Sequence, residues 1–193
     1  LREKCGITSP KDGCAPQGYC GCCTVLVDGR PVLSCLRKPE QMEGANVVTF
    51  EGLPQDMQHV LCESFVHEGA VQCGFCIPGI LVRASALLQQ KGTADRGEVR
   101  EALSANLCRC TGWERILDGI QTAGEMWNDS KVLPRPEPRR HDYFGEQFGM
   151  KRNPAFESKN ENGIGRSPAK YRGMEQASGE KPFIDPAPYR AER

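Results

Sequence analysis

No apolar run in the 193-residue chain approaches the roughly 18 residues of a membrane span. Neither charge is in excess. Lys and Arg total 25 and Asp and Glu total 25, so no whole-chain field gathers nucleic acid or anionic lipid. Repeats and low-complexity tracts are missing too. Apolar residues make up 38%, below the usual share of about 45–50%, which excludes a large, purely apolar core. His59, His67 and His141 are the whole histidine complement, and their scatter suggests solvated positions rather than a ligand set. Something other than greasy bulk must help to hold this fold.

Cysteine is what the chain has in quantity. There are 11, all between Cys5 and Cys110, alongside 21 glycines. A disulfide scaffold is disfavoured, because the number is odd and the vicinal pair Cys22-Cys23 is geometrically awkward. Bound metal is the remaining way to staple a small domain.

Composition divides the chain near Trp127. Residues 1–127 carry 12 basic and 15 acidic side chains and every cysteine. Residues 128–193 carry 13 basic and 10 acidic side chains and 8 of the 14 prolines, with only 18 hydrophobic residues among 66. That tail cannot repay its ordering entropy alone and is expected to be a linker or an extended arm laid on a partner. The first part divides again near Leu53. Thr24-Val25-Leu26-Val27, the pair Asp28-Gly29 and Pro31-Val32-Leu33 predict a hairpin, and Val47 to Phe50 predicts another short strand. From Pro54 the period becomes helical. One helix carries Met57, Val60, Leu61 and Phe65 on its inner face, and a second begins with Pro78 and ends at Gly92. A third is expected over Glu98 to Leu107, and a fourth, from about Gly112, over Ile116, Ile120, Ala123 and Trp127. Four amphipathic helices on short loops predict a bundle.

The cysteines fall into two groups. Cys14, Cys20, Cys23 and Cys35 give C-x5-C-x2-C-x11-C, three thiols from one irregular loop and a fourth from beyond the hairpin. This is close to the plant-type 2Fe–2S spacing. Four thiolates on an iron–sulfur core make an anionic centre, which backbone N–H groups must face, and Gly13, Gly18 and Gly21 allow the chain to turn that way. Cys73, Cys76, Cys108 and Cys110 give C-x2-C-x31-C-x-C, each pair preceding a helix whose N-terminal N–H groups favour thiolate. Structural zinc also takes four thiolates, yet the 31-residue gap followed by C-x-C fits no common zinc spacing. Cys5, Cys22 and Cys62 are left over. Cys62 reads as a buried core thiol, and Cys22 flanks the first group as a competitor for iron.

Gly13-Cys14, Cys20-Gly21-Cys22-Cys23-Thr24-Val25-Leu26 and Asp28-Gly29 through Ser34-Cys35 resemble the first cluster domain of the molybdenum hydroxylases, the xanthine oxidase family. Gln72-Cys73-Gly74-Phe75-Cys76-Ile77-Pro78-Gly79 and Asn106-Leu107-Cys108-Arg109-Cys110-Thr111-Gly112 resemble its second. The likeness covers residues 1–127. It implies an α+β architecture: a β-grasp plant-type 2Fe–2S ferredoxin domain over residues 1–53, then a four-helix 2Fe–2S bundle over 54–127, then the arm over 128–193. The N-terminal hairpin that usually precedes Leu1 is missing, which implies a fragment or a sheet edge covered by another segment. Asn162-Gly163-Ile164-Gly165-Arg166 and the stretch from Ala177 to Asp185 resemble the start of the molybdenum domain, against a generic glycine-rich linker.

The resemblance further implies the function. Electrons from substrate oxidation at molybdenum would pass through the bundle cluster and then the ferredoxin cluster to FAD or an external acceptor. It implies no catalytic residue on this chain. Eight iron ligands are expected, Cys14, Cys20, Cys23, Cys35, Cys73, Cys76, Cys108 and Cys110. Gln72 and Cys110 are expected to contact a molybdopterin held mainly by a large partner subunit, with FAD on a medium subunit and the complex in the cytoplasm. The loop from Cys14 to Cys20 has five intervening residues where four are usual. Cys22 stands for the common Ala, Ile77 for Thr and Trp113 for Tyr. A free-standing 2Fe–2S carrier and a zinc-stabilised module are the competing readings.

Overall fold

The fold is described from a computed structural model covering residues 1–129 together with Met174 and Ala177. The expected arm over 128–193 therefore lies almost wholly outside the described residues. Ala177 is buried in the core and Met174 packs against it.

One helical turn, α1 (Arg2–Cys5), opens the chain and ends on Gly6 in the left-handed region. It carries no buried residue, which is why apolar periodicity gave no sign of it. An irregular loop then leads to β1 (Thr24–Val27) and β2 (Arg30–Leu33), antiparallel with Thr24 opposite Leu33 and Val27 opposite Arg30. Asp28 and Gly29 both have positive φ, the mirror-image turn whose twist suits a two-residue hairpin. The strand expected over Val47 to Phe50 is only β3 (Val47–Val48), pairing with Val27 and Leu26 of β1. Phe50 starts a 3-10 turn instead, and its ring is buried in the core. The resulting sheet has the order β2-β1-β3.

The helical part begins with α2 (Gln55–His67), which buries Met57, Val60, Leu61 and Phe65 on the face that the period marks. It packs mainly on α5 (Glu114–Asp129). Close crossing there depends on Gly119, where a Cβ would stand 2.9 Å from the Phe65 ring. α3 (Ile77–Lys91) lies between the sheet and the other helices. It starts one residue before Pro78, and Cys76 is its N-cap residue. α4 (Arg96–Ala102) opens with a capping box. Asp95 accepts the Glu98 N–H at 2.9 Å and Glu98 accepts the Asp95 N–H at 2.9 Å, an arrangement worth about 1 kcal/mol.

α4 is shorter than the helix expected over Glu98 to Leu107. The chain after Leu103 leaves the helix to meet the first cysteine loop, where the Leu107 N–H donates to the Cys20 carbonyl at 2.8 Å. That bond pairs the carbonyl of a buried residue, and a buried carbonyl left unpaired costs about 1–3 kcal/mol. α5 likewise starts at Glu114 rather than Gly112, since Gly112 and Trp113 both hold positive φ. Phe65, Met57, Leu61, Ile77, Ile80, Leu81, Ile116 and Ile120 form the fully buried centre. Each such side chain contributes roughly 1.5–3 kcal/mol by leaving water. Among the described residues no helix is long and apolar enough to cross a membrane.

Candidate metal centres

The first loop wraps an open cavity of about 250 Å³ whose lining includes all four of Cys14, Cys20, Cys23 and Cys35. Cys20 and Cys23 are buried, while Cys14 and Cys35 are half-buried. Main-chain N–H groups turn towards the sulfurs. The Gln17 N–H donates to Cys14 Sγ at 3.3 Å, and this bond leads those of Tyr19 and Cys20 in lowering the Cys14 thiol to about 7. Cys35 moves the other way, to about 11, chiefly through burial. The turn needs backbone freedom. Gly18 and Gly21 have positive φ, and Ala15 adopts it without being glycine, a local strain of order 1 kcal/mol.

The second set of sulfurs comes from two distant segments. Cys110 Sγ lies 3.5 Å from Cys73 Sγ, and Cys76 and Cys108 share a thiol–thiol hydrogen bond. That bond holds Cys108 down to about 5 while raising Cys76. Cys76 is buried at the start of α3, Cys108 is half-buried, and Cys73 and Cys110 are exposed. Gln72 is exposed beside them. The Phe75 N–H donates to Cys73 at 3.5 Å.

Within each group the structure brings the sulfurs close in pairs, and all eight are free thiols. Among the described residues no three His, Cys, Asp or Glu side chains are placed to hold a single metal ion. The sulfurs approach in pairs: Cys14 with Cys20, Cys23 with Cys35, Cys73 with Cys110, and Cys76 with Cys108.

The two loops meet directly. Asn106 is buried and donates its Nδ2 to the Gly21 carbonyl at 3.1 Å. A Cβ on Gly79 would lie 2.6 Å from that same carbonyl, and one on Gly21 would strike the Ala105 carbonyl. Cys22 sits in this seam, 3% exposed, with burial pushing its thiol well up. It does not line the first cavity, but its thiol shares a hydrogen bond with Cys20, so it stays beside the first group. Cys62 is buried within α2, as its apolar neighbours suggested, and Cys5 is exposed on α1.

Three residues near the sulfurs carry roles that spacing did not assign. Lys11 is buried at the rim of the first cavity, where burial lowers its pKa and its Nζ donates to the Thr8 carbonyl at 2.6 Å. Asn106 is the seam clamp. Thr111 places its Oγ1 3.0 Å from Cys108 Sγ. All three lie inside or beside the cysteine motifs, and a polar residue within a loop that must be buried was the available sign.

Two groups of paired thiols on this fold point to the class of iron–sulfur proteins, and the comparisons with known proteins show it. A family model described as a [2Fe-2S] binding domain matches residues 49–121. The nicotinate dehydrogenase small FeS subunit of Eubacterium barkeri is 41% identical over 126 residues, covering 65% of this chain and 80% of that subunit. The xanthine dehydrogenase iron-sulfur-binding subunit of Escherichia coli O157:H7 is 41% identical over 124 residues, covering 62% of this chain and 76% of that subunit. The crystal structure of quinoline 2-oxidoreductase from Pseudomonas putida 86 superimposes with a TM-score of 0.62 at 45% identity, covering 68% of this chain and 83% of the matched one. The chain belongs to the iron–sulfur subunits of the molybdenum hydroxylase family. It is an electron-transfer subunit that works as part of an oxidoreductase complex, so the free-standing carrier loses its ground.

Proposed function

We propose that this subunit carries two 2Fe–2S clusters, one held by Cys14, Cys20, Cys23 and Cys35 and the other by Cys73, Cys76, Cys108 and Cys110. When bound, such a cluster accepts and releases a single electron. The observation that carries the reading is the seam, where the Cys20 carbonyl accepts directly from the Leu107 N–H, one residue from Cys108. Two sulfur sites joined through so few bonds suit consecutive stations for an electron. Sulfurs arriving in pairs suit a core with two irons, whereas structural zinc wants four donors around one ion.

In this reading each site faces a different partner. Cys73, Cys110 and Gln72 are exposed together, and in this reading they face a large subunit whose molybdopterin they contact. The cavity lined by Cys14 and Cys35, with Leu1, Arg2 and Ser34 at its wall, faces the acceptor in this reading, which we take to be FAD on a medium subunit. Residues 1–53 act as a β-grasp ferredoxin-like domain and 54–127 as a four-helix bundle. The Gln17 N–H donates to Cys14 and the Phe75 N–H to Cys73, bonds that would stabilise those sulfurs as cluster ligands. Substrate choice belongs to the large subunit. Eight unbridged thiols suit a reducing compartment such as the cytoplasm.

Metal and sulfide analysis of the isolated complex, with electron paramagnetic resonance after full reduction, tests this. Two distinct signals are expected. One signal, or zinc in place of iron, would overturn the assignment.

A further inference from the structure

We propose that the Thr111 hydroxyl sets the reduction potential of the second centre by donating a hydrogen bond to the Cys108 sulfur. The inference rests on the reading that Cys73, Cys76, Cys108 and Cys110 hold a 2Fe–2S cluster.

Thr111 Oγ1 lies 3.0 Å from Cys108 Sγ, a close approach for oxygen to sulfur. A ligand thiolate has lone pairs and no proton, so in that state only the hydroxyl can donate. Its rotation is restricted from behind, because the Trp113 N–H donates to the same Oγ1 at 3.4 Å. With one lone pair engaged there, the proton and the second lone pair share the remaining directions, and a thiolate that can only accept selects the proton. The local backbone is bent for this purpose. Gly112 at φ 66 and Trp113 at φ 73 turn the chain back so that the Trp113 N–H meets Thr111, and Trp113 holds that conformation without being glycine. Strain of this kind persists only where the surroundings over-determine it, and it gathers at functional sites.

The chemistry gives the sign. A donor to a ligand sulfur stabilises the reduced centre, which carries one more negative charge, and so raises its potential. One electron enters and no bond is made or broken, so the proton stays on Thr111 throughout. Cys108 is also met by the main-chain N–H groups of Thr111 and Cys110, as Cys14 is by Gln17 and Cys73 by Phe75. Those donors survive any side-chain replacement at their positions. Thr111 is where a single side chain can move the potential of one centre and leave the other alone.

The test uses the assembled complex with its clusters, titrated potentiometrically and followed by electron paramagnetic resonance. The two signals are assigned with Cys23→Ser, which removes the first centre. Thr111→Val keeps the shape and removes the donor. Its expected result is full iron content, an unmoved first centre, and a second centre whose one-electron equilibrium falls by about tenfold, or about 59 mV. Thr111→Ser, which restores a hydroxyl, should bring the value back, and Thr111→Ala should behave as Thr111→Val does. An unmoved second centre, equal movement of both centres, or iron loss from both hydroxyl-free variants would overturn the proposal. A wild-type complex with a single signal would instead sink the underlying two-cluster reading.

Discussion

The two cysteine quartets reach similar donor sets by opposite routes. The first draws three sulfurs from one ten-residue loop, Cys14 to Cys23, and adds Cys35 from just beyond a hairpin. Its geometry is set by local backbone: glycines at positive φ and N–H groups bent inwards. The second takes two pairs separated by 31 residues and depends on the packing of α3 and α5 to bring Cys73 and Cys110 within 3.5 Å. A locally built site should tolerate loosening of the helices, whereas a site assembled by tertiary packing should fail with them. The seam of Gly21, Gly79 and Asn106 is where these independent designs become one body.

The largest expected effect comes from breaking the quartets singly. Cys23→Ser should empty the first centre and Cys76→Ser the second, each reducing iron from roughly four to two per chain. Iron analysis with resonance spectra of the reduced complex reads both numbers. Loss of both centres from either variant would show that the two sites are not separately built.

Next comes the seam. Gly79→Ala places a methyl 2.6 Å from the Gly21 carbonyl, a backbone atom that cannot swing away. Overpacking of this kind costs about 1–3 kcal/mol. The resulting drop in denaturation midpoint should come with altered signals from both centres, since the displaced carbonyl belongs to the first loop and the displaced helix to the second. Asn106→Ala removes the bond to that carbonyl without a clash and should cost about 1 kcal/mol. If Gly79→Ala disturbed the second centre alone, the seam would not be the joint described above.

How much of this was legible in the sequence follows the same division. The hairpin, the inner faces of α2 and α5 and the closeness of the sulfurs within each cysteine group could be read, because each is written in local spacing or in a period of 3.6. The end of α4 could not. Glu98 to Leu107 has helical composition, but the Cys20 carbonyl 87 residues earlier competes for the Leu107 N–H and wins. The strand at Val47 was overestimated for a like reason, since Phe50 gains more by entering the core than by extending β3. The clamp at Asn106 and the hydroxyl of Thr111 lay inside motifs whose cysteines drew the attention. Their partners, the Gly21 carbonyl and one particular sulfur, are set by tertiary packing and by a backbone turn at Trp113 that no periodicity announces.

Cys62 separates thiols that ligate from thiols that pack. It is 3% exposed in α2 and belongs to the core. Cys62→Ala should cost about 1 kcal/mol from the small cavity it leaves. Iron content and both spectra should be unchanged, while a calorimetric midpoint falls slightly. Iron loss equal to that of Cys76→Ser would mean that the quartets are misassigned.

The smallest effect concerns how the first loop is anchored. Glu51 reaches across from the turn after β3, where its carboxylate accepts from the Ser9 N–H at 2.9 Å and from the Ser9 and Thr49 hydroxyls. Burial opposes ionisation there, but the bonds from Ser9 and Thr49 outweigh it and hold the carboxyl below its ordinary range. A carboxyl depressed in the folded state adds stability that is present above the unfolded value. That stability is lost as pH falls through the lower, folded one. The side chain is partly exposed, so screening keeps the gain below about 1 kcal/mol. In urea titrations between neutral pH and pH 3, Glu51→Gln should start slightly less stable and lose less than the parent on acidification. Because Ser9 leads straight into the first cavity and lies far from Cys108 in the chain, the acid-induced loosening should reach the first centre before the second. Simultaneous bleaching of both centres in acid would show that the seam, and not this anchor, limits the first loop.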